Sequence, residues 1–80
     1  MNKLGNYANT KTNNTHYENN GIVYYYSYKT KIAVRNGSKL AIRENSWGPT
    51  TGKHLNAIDR DKSIRLPLDE FNKKCLEIGG

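Results

Sequence analysis

Gly48-Pro49-Thr50-Thr51-Gly52-Lys53-His54 is the stretch of this sequence that comes nearest to a reaction motif. Two glycines, two hydroxyls and a lysine are parts from which a phosphate-cradling loop is made. Such a loop needs four residues between its glycines and a Ser or Thr after the lysine to hold magnesium. Here three residues separate the glycines, and His54 follows Lys53. The segment is not a nucleotide-hydrolysing loop. What survives is weaker: free N–H groups at a helix start, with Lys53 beside them, can hold one anion. The plainer alternative is that Thr50 or Thr51 caps the helix.

His16, His54 and Cys75 are too few for a four-ligand zinc site without carboxylates, and their spacing matches no finger pattern. Ser46, His54 and a nearby acid have the residue types of a nucleophilic triad, but triads are defined by geometry that spacing does not set. No paired signature of catalysis is present. The expectation is a protein that is not an enzyme, with no catalytic residue, no cofactor and no metal. Cys75, on an apolar helix face, reads as a small core residue. As the single cysteine it forms no internal disulfide, which agrees with a reducing cytoplasm.

The remaining chemistry is that of binding. The formal net charge is +6. Residues 1–20 carry Lys3 and Lys11 against Glu18 (2 − 1 = +1), and residues 44–80 balance six bases against six acids. Residues 21–43 carry Lys29, Lys31, Arg35, Lys39 and Arg43 with no acid, a local sum of +5. Such a patch attracts phosphates or an acidic protein surface over about 8 Å at physiological salt. A charged face kept for solubility is the alternative.

Interleaved with these bases is Tyr24-Tyr25-Tyr26-Ser27-Tyr28. In a strand, Tyr24, Tyr26 and Tyr28 line the core side and Tyr25 lies outside among lysines. A basic strand face with an exposed aromatic stacks bases and tracks phosphates, although lysines on a strand also guard an edge against aggregation. Trp47, in a Gly/Pro loop, reads first as a lid over a helix–sheet seam. Its second reading is a contact residue, since Trp is enriched at binding hot spots. The candidate partner- or nucleic-acid-binding residues are Tyr25, Lys29, Lys31, Arg35, Lys39, Arg43, Trp47 and Lys53.

Those side chains need a scaffold. Asn20-Gly21 supplies the positive φ angles of a two-residue hairpin loop, which pairs Asn19 with Ile22, Tyr17 with Tyr24 and Thr15 with Tyr26. Residues 22–35 contain no Gly, Pro, Asn or Asp. Their period-2 pattern predicts one long strand with the even positions inward. A three-residue loop, Arg35-Asn36-Gly37, then pairs Val34 with Ser38, Ile32 with Leu40 and Thr30 with Ile42, which keeps each face uniform. The outer face carries Tyr25, Ser27, Lys29, Lys31, Lys39 and Arg43, with Arg35 at the tip.

Beyond a loop at 46–49, a helix through about residue 59 has His54, Leu55 and Ile58 on one side. Residues 63–66 read as a short strand with Ile64 and Leu66 inward. Pro67 opens a final helix whose Leu68, Phe71, Cys75 and Ile78 face the sheet. The expected fold class is α+β. It is a small antiparallel β-meander of about three strands (13–18, 22–35 and 38–44) plus a short fourth, packed with two short helices.

Eighty residues bound one small domain and exclude a doubly wound nucleotide-binding fold or a barrel enzyme. Only Met1, Leu4, Tyr7, Ala8 and Tyr17 are apolar within residues 1–20. Residues 1–12 therefore read as a flexible tail and 13–80 as the domain. No run approaches the roughly 18 apolar residues of a membrane helix, and the N-terminus has no apolar signal core. The expected location is the cytoplasm, with no membrane partner.

Asn9-Thr10, Tyr17 with the Asn-Gly turn, Lys29-Thr30-Lys31-Ile32-Ala33-Val34, and the run from Ser46-Trp47-Gly48 through Thr50-Thr51-Gly52-Lys53-His54-Leu55-Asn56 resemble small proteins carried by phages and plasmids. Those proteins share an early Asn-Thr, a Tyr- or Leu-rich strand ending in Thr-x-Ile/Val, and a Trp followed by paired threonines, Lys and Asn. The resemblance covers roughly residues 9–58 and leaves 59–80 outside. No activity comes with it, so no functional residue is carried over. It implies an accessory gene of a mobile element and, by association, an inhibitor in the manner of anti-CRISPR proteins. The first expectation is thus a non-enzymatic protein that docks through its basic hairpin face on a host nucleoprotein complex, such as a CRISPR effector. The second is a free-standing DNA- or RNA-binding module.

Overall fold

A computed structural model describes residues 2–8 and 13–79. Among them, six strands join one sheet in sequence order. β1 (Asn2–Gly5), β2 (Asn14–Asn19), β3 (Ile22–Ser27), β4 (Thr30–Asn36) and β5 (Lys39–Arg43) pair antiparallel, each with the next. The chain then passes through α1 (Pro49–Ile58) and a 3₁₀ turn (Lys62–Ile64). It returns as β6 (Arg65–Leu66), parallel to β5, and ends in α2 (Leu68–Glu77). The class is α+β. The sheet is larger than the expected three strands and a short fourth, and it is mixed.

The β2–β3 hairpin follows the local signal. Asn20 (φ 54°) and Gly21 (φ 83°) form its loop, and Asn19 pairs with Ile22, Tyr17 with Tyr24 and Thr15 with Tyr26. The next segment does not follow the expectation. Residues 22–35 are two strands, because the chain reverses at Tyr28-Lys29 and Ser27 pairs with Thr30. One strand of fourteen residues would be about 46 Å long at roughly 3.3 Å per residue, and the protein's longest dimension is 29 Å. Tyr28 accomplishes the reversal at φ 56°, a left-handed angle uncommon for a bulky side chain. Its N–H donates to the Asn13 carbonyl at 2.7 Å.

Two further departures share one cause. Tyr25 pairs with Ala33 and Tyr26 with Lys31, which leaves Ile32 as an extra, bulged residue in β4. At the following turn Asn36 pairs with Lys39, so the loop is the two residues Gly37-Ser38 rather than Arg35-Asn36-Gly37. Val34 consequently faces Ala41, and Ala33 faces Ile42. The expected register assumed one buried face, yet the consecutive residues Ile32, Ala33 and Val34 are all fully buried. A strand covered on both sides has no alternation by which to set register.

The two helices supply the two covers. On one face α2 packs Phe71, Cys75 and Ile78 against Val34 and Ala41, with Ile22, Tyr24 and Leu66 at the margin. On the other, Leu55 of α1 packs with Ile32, Ala33 and Ile42, flanked by Tyr7, Tyr25, Leu40, Ile58 and Ile64. Leu68, expected on the inner side of the last helix, is half exposed, while Phe71 is 1% exposed. The start of α1 is capped by Gly48 with Pro49 behind it, not by Thr50 or Thr51.

Residues 2–8 depart from the tail expectation. Asn2–Gly5 pairs with β2, and Tyr7 packs into the α1-side core. Residues 1 and 9–12 of the expected tail lie outside the described residues. No helix among those described is long and apolar enough to cross a membrane.

Candidate functional site

The sequence-derived contact set does not form one face. Tyr25, expected outside among lysines, lies on the α1 side. It stacks on His16 at 5.5 Å and meets Tyr7 edge-on at 5.2 Å. Arg35 shares that side, opposite Leu40. Lys31, Lys39 and Arg43 alternate onto the α2 side, opposite Tyr26, Asn36 and Leu66 respectively. They also divide lengthwise. Lys31 and Arg43 sit at the sheet end that carries the β3–β4 turn, whereas Lys39 and Arg35 flank the β4–β5 turn at the opposite end. Lys29 is exposed in the β3–β4 turn, and Lys53 is exposed on α1. The bulge at Ile32 divides the basic residues between faces by moving Lys31 out of step with Ala33 and Arg35.

One end of the molecule therefore gathers Lys29, Lys31, Arg43 and two exposed aromatics. Trp47 is 41% exposed, so it is not the buried lid expected of it, and the Arg43 guanidinium stands 4.7 Å over its ring. Asn45 shapes the loop that presents it. Its Oδ1 accepts from the Trp47 N–H at 2.9 Å, and its Nδ2 donates to the Gly48 carbonyl at 3.4 Å. A Cβ on Gly52 would lie 3.1 Å from that Nδ2. The second glycine of the apparent phosphate loop thus gives clearance to Asn45. Tyr28, on the β3–β4 turn, is 54% exposed.

From this end an open tyrosine surface extends across β2 and β3. α2 covers β4 and β5 on this face, and neither core cluster includes Tyr17 or Tyr26. Tyr17 faces Tyr24 across the strands, and Thr15 faces Tyr26. Lys3 of β1 pairs with Tyr17, and Lys31 of β4 with Tyr26, so lysines border the tyrosines on both sides. Tyr17 and Tyr26 meet edge-on at 5.6 Å, and the Lys31 ammonium lies 6.0 Å over the Tyr24 ring. A groove of about 360 Å³ is lined by Thr15, Tyr17, Tyr26, Tyr28 and Lys29. In it, the buried Thr15 Oγ1 has no hydrogen-bond partner among the described residues. The β2–β3 register that builds this surface was legible from Asn20-Gly21. Its openness was not, because the long-strand reading put Tyr24, Tyr26 and Tyr28 in the core.

On the α1 side, three polar side chains form a buried chain. Ser27 Oγ lies 3.0 Å from Thr51 Oγ1 and 2.7 Å from His54 Nδ1. All three residues are at most 4% exposed. Burial pushes the His54 pKa below its ordinary value. Ser27, expected on the outer basic face, is the hydroxyl that meets His54, in place of the Ser46 considered for that role. Beside this chain is a cavity of about 140 Å³ lined by Ser27, Tyr28, Thr30, Ile32, Trp47 and Thr51.

The other candidate ligands are dispersed. His16 Nδ1 donates to the Gly5 carbonyl at 2.7 Å. Cys75 is buried, and burial pushes its thiol pKa up against the smaller opposing effect of Lys31. Among the described residues, no three His, Cys, Asp or Glu gather where they could hold a metal ion.

No curated protein and no solved structure matches this chain. A family model does match it over residues 2–73, from β1 into α2, and that span includes the tyrosine surface, the Trp47 loop and the buried His54. The chain belongs to this family, a family of unknown function (DUF8033).

Proposed function

We propose that the protein is a non-enzymatic module that binds single-stranded nucleic acid across the open half of its sheet. The observation that carries this reading is the pair Tyr17 and Tyr26 on the half-face that α2 leaves uncovered, bordered by Lys3 and Lys31, with Tyr24 beside them at the margin of the α2-side core. Every base has a π-face, so tyrosines on a flat sheet bind a single strand without reading its sequence, at about 1–3 kcal/mol per stacked base. Lysines beside them neutralise the backbone. Bases already stacked in a duplex are not available to such a surface. The charge supports the same partner: two of the three lysines beside the tyrosines, Lys29 and Lys31, belong to the acid-free stretch 21–43.

Fluorescence anisotropy with labelled ten-nucleotide single strands and the matching duplex tests this. The expected result is salt-dependent binding of the single strand, weaker binding of the duplex, and loss in a Tyr17→Ala/Tyr26→Ala variant that keeps its far-UV spectrum. An inhibitor that docks on a host nucleic-acid-processing complex such as a CRISPR effector is the other expectation. Tight binding to such a purified complex, with no affinity for naked strands, would overturn the module reading in its favour.

A further inference from the structure

We infer that Tyr28 divides two nucleotide subsites, the tyrosine-lined groove and an amide-lined groove next to it, and splays a bound single strand with one base on each side of its ring. The inference rests on the reading above and adds to it a second subsite and a break in base stacking at a named residue. The second groove, of about 320 Å³, is lined by Lys3, Asn6, Asn13, Asn14, Thr15 and Tyr28. Two of these, Thr15 and Tyr28, also line the tyrosine groove of about 360 Å³. Thr15 lies within β2 and its hydroxyl is buried, so it belongs to the floor. Tyr28, on the β3–β4 turn, is 54% exposed. The wall between the two grooves is therefore the Tyr28 side chain.

Each groove has room for one base. A cavity of about 150 Å³ holds the six carbons of benzene, which scales to about 250 Å³ for the ten non-hydrogen atoms of a purine base. Both grooves exceed that volume, so purines and pyrimidines are admitted alike. Both are open, which leaves sugar and phosphate outside. The divider is also fixed in place. The Tyr28 N–H donates to the Asn13 carbonyl at 2.7 Å, which ties the turn to the wall of the amide groove. Tyr28 and Asn13 both hold left-handed φ angles, 56° and 65°. Backbone of this kind persists where surrounding structure over-determines it, and it clusters at ligand clamps.

The chemistry differs on the two sides of the ring. On one side Tyr17 and Tyr26 offer aromatic faces, against which a base stacks. On the other, Asn6 and Asn13 are exposed amides. An amide carries two N–H donors and an oxygen with two acceptor sites, a set that suits the polar edge of any base. Lys29 lines the first groove and Lys3 the second, so a cation stands at each end of the two-nucleotide step. Among the described residues, no carboxylate lines either groove. That charge fits the phosphates of a strand lying across both.

The experiment titrates the full chain with a tetranucleotide of 2-aminopurine, whose absorption lies beyond that of the protein and whose stacked neighbours give a coupled circular-dichroism signal. A uniform strand keeps the readout independent of register, and anisotropy of the same strand, end-labelled, gives the affinity. Binding to the parent should diminish the coupled signal. Tyr28→Asn, which suits the left-handed backbone, should bind roughly tenfold more weakly, the worth of one stacked base. At saturation its complex should keep more of the coupled signal than the parent's does. Asn13→Gly, which suits that backbone equally, should weaken binding about fivefold, the worth of one hydrogen bond. Far-UV spectra check that both variants fold. Binding with an undiminished coupled signal, or a loss of signal that Tyr28→Asn does not alter, overturns the divider and leaves the tyrosine surface standing. A strand that does not bind at all removes both readings.

Discussion

Ser27 Oγ lies 2.7 Å from Nδ1 of His54, so the last residue of β3 and the middle of α1 share a hydrogen bond inside the protein. Because His54 is fully buried, its folded-state pKa is depressed, and the folded protein keeps the ring neutral to lower pH than the unfolded chain does. In the unfolded chain the ring takes up a proton near pH 6.5. Below that pH the unfolded state binds the more protons, so stability falls as pH falls towards the folded-state pKa. Above it, His54 adds no pH dependence. The slope for this one proton is at most about 1.4 kcal/mol per pH unit. Urea midpoints at about pH 7.5 and 5.5 should show the fall, and His54→Gln should reduce it.

Phe71 is the largest fully buried side chain and joins α2 to Val34 and Ala41. Truncation to Ala should cost about 3–5 kcal/mol. Domains of this kind have roughly 5–15 kcal/mol in total. Phe71→Ala should therefore be largely unfolded near 37 °C or melt far below the parent, as calorimetry would record.

Tyr28 couples strain to exposure. Asn tolerates the left-handed region far better than an aromatic residue does, and the half-exposed Tyr28 ring buries little that would be lost. Tyr28→Asn should stabilise the fold by about 1 kcal/mol, a rise of roughly 4–8 °C in Tm for a chain this small. The same variant should bind oligonucleotides more weakly. A more stable protein that binds less well would mark Tyr28 as a residue held against local preference.

Lys29 and Lys31 border the tyrosine surface, whereas Lys53 is exposed on α1 on the other side of the sheet. Each phosphate neutralised on a single strand contributes about 0.7 to the slope of log affinity against log salt. Lys29→Gln and Lys31→Gln should each lower the slope by roughly that amount, and Lys53→Gln should leave it unchanged. Anisotropy titrations across a salt series measure all three.

The candidate site was legible in its parts and not in its assembly. The acid-free basic stretch and the tyrosine run are visible in the residues alone. That Lys31 stands with Tyr24 and Tyr26, while Tyr25 and Arg35 face α1, depends on the one-residue bulge at Ile32. The Ser27–His54 contact joins residues 27 positions apart. No local pattern could choose Ser27 over Ser46 for His54.

What the sequence determined by itself was local. Asn20-Gly21 is enough to set the β2–β3 register, because its backbone angles are a property of those two residues. The spacing of Phe71, Cys75 and Ile78 is enough to orient α2, because helical periodicity puts them on one stripe. The break at Tyr28 was decided by the tertiary structure, since no residue there prefers a turn. A strand of some 46 Å would outrun the helices that bury it, so packing imposed a left-handed angle on a tyrosine. The Gly37-Ser38 loop and the bulge were decided the same way. β4 is covered on one face by α1 and on the other by α2, and with both faces apolar the register is set by which helix arrives where, a long-range fact that alternation along one strand does not contain.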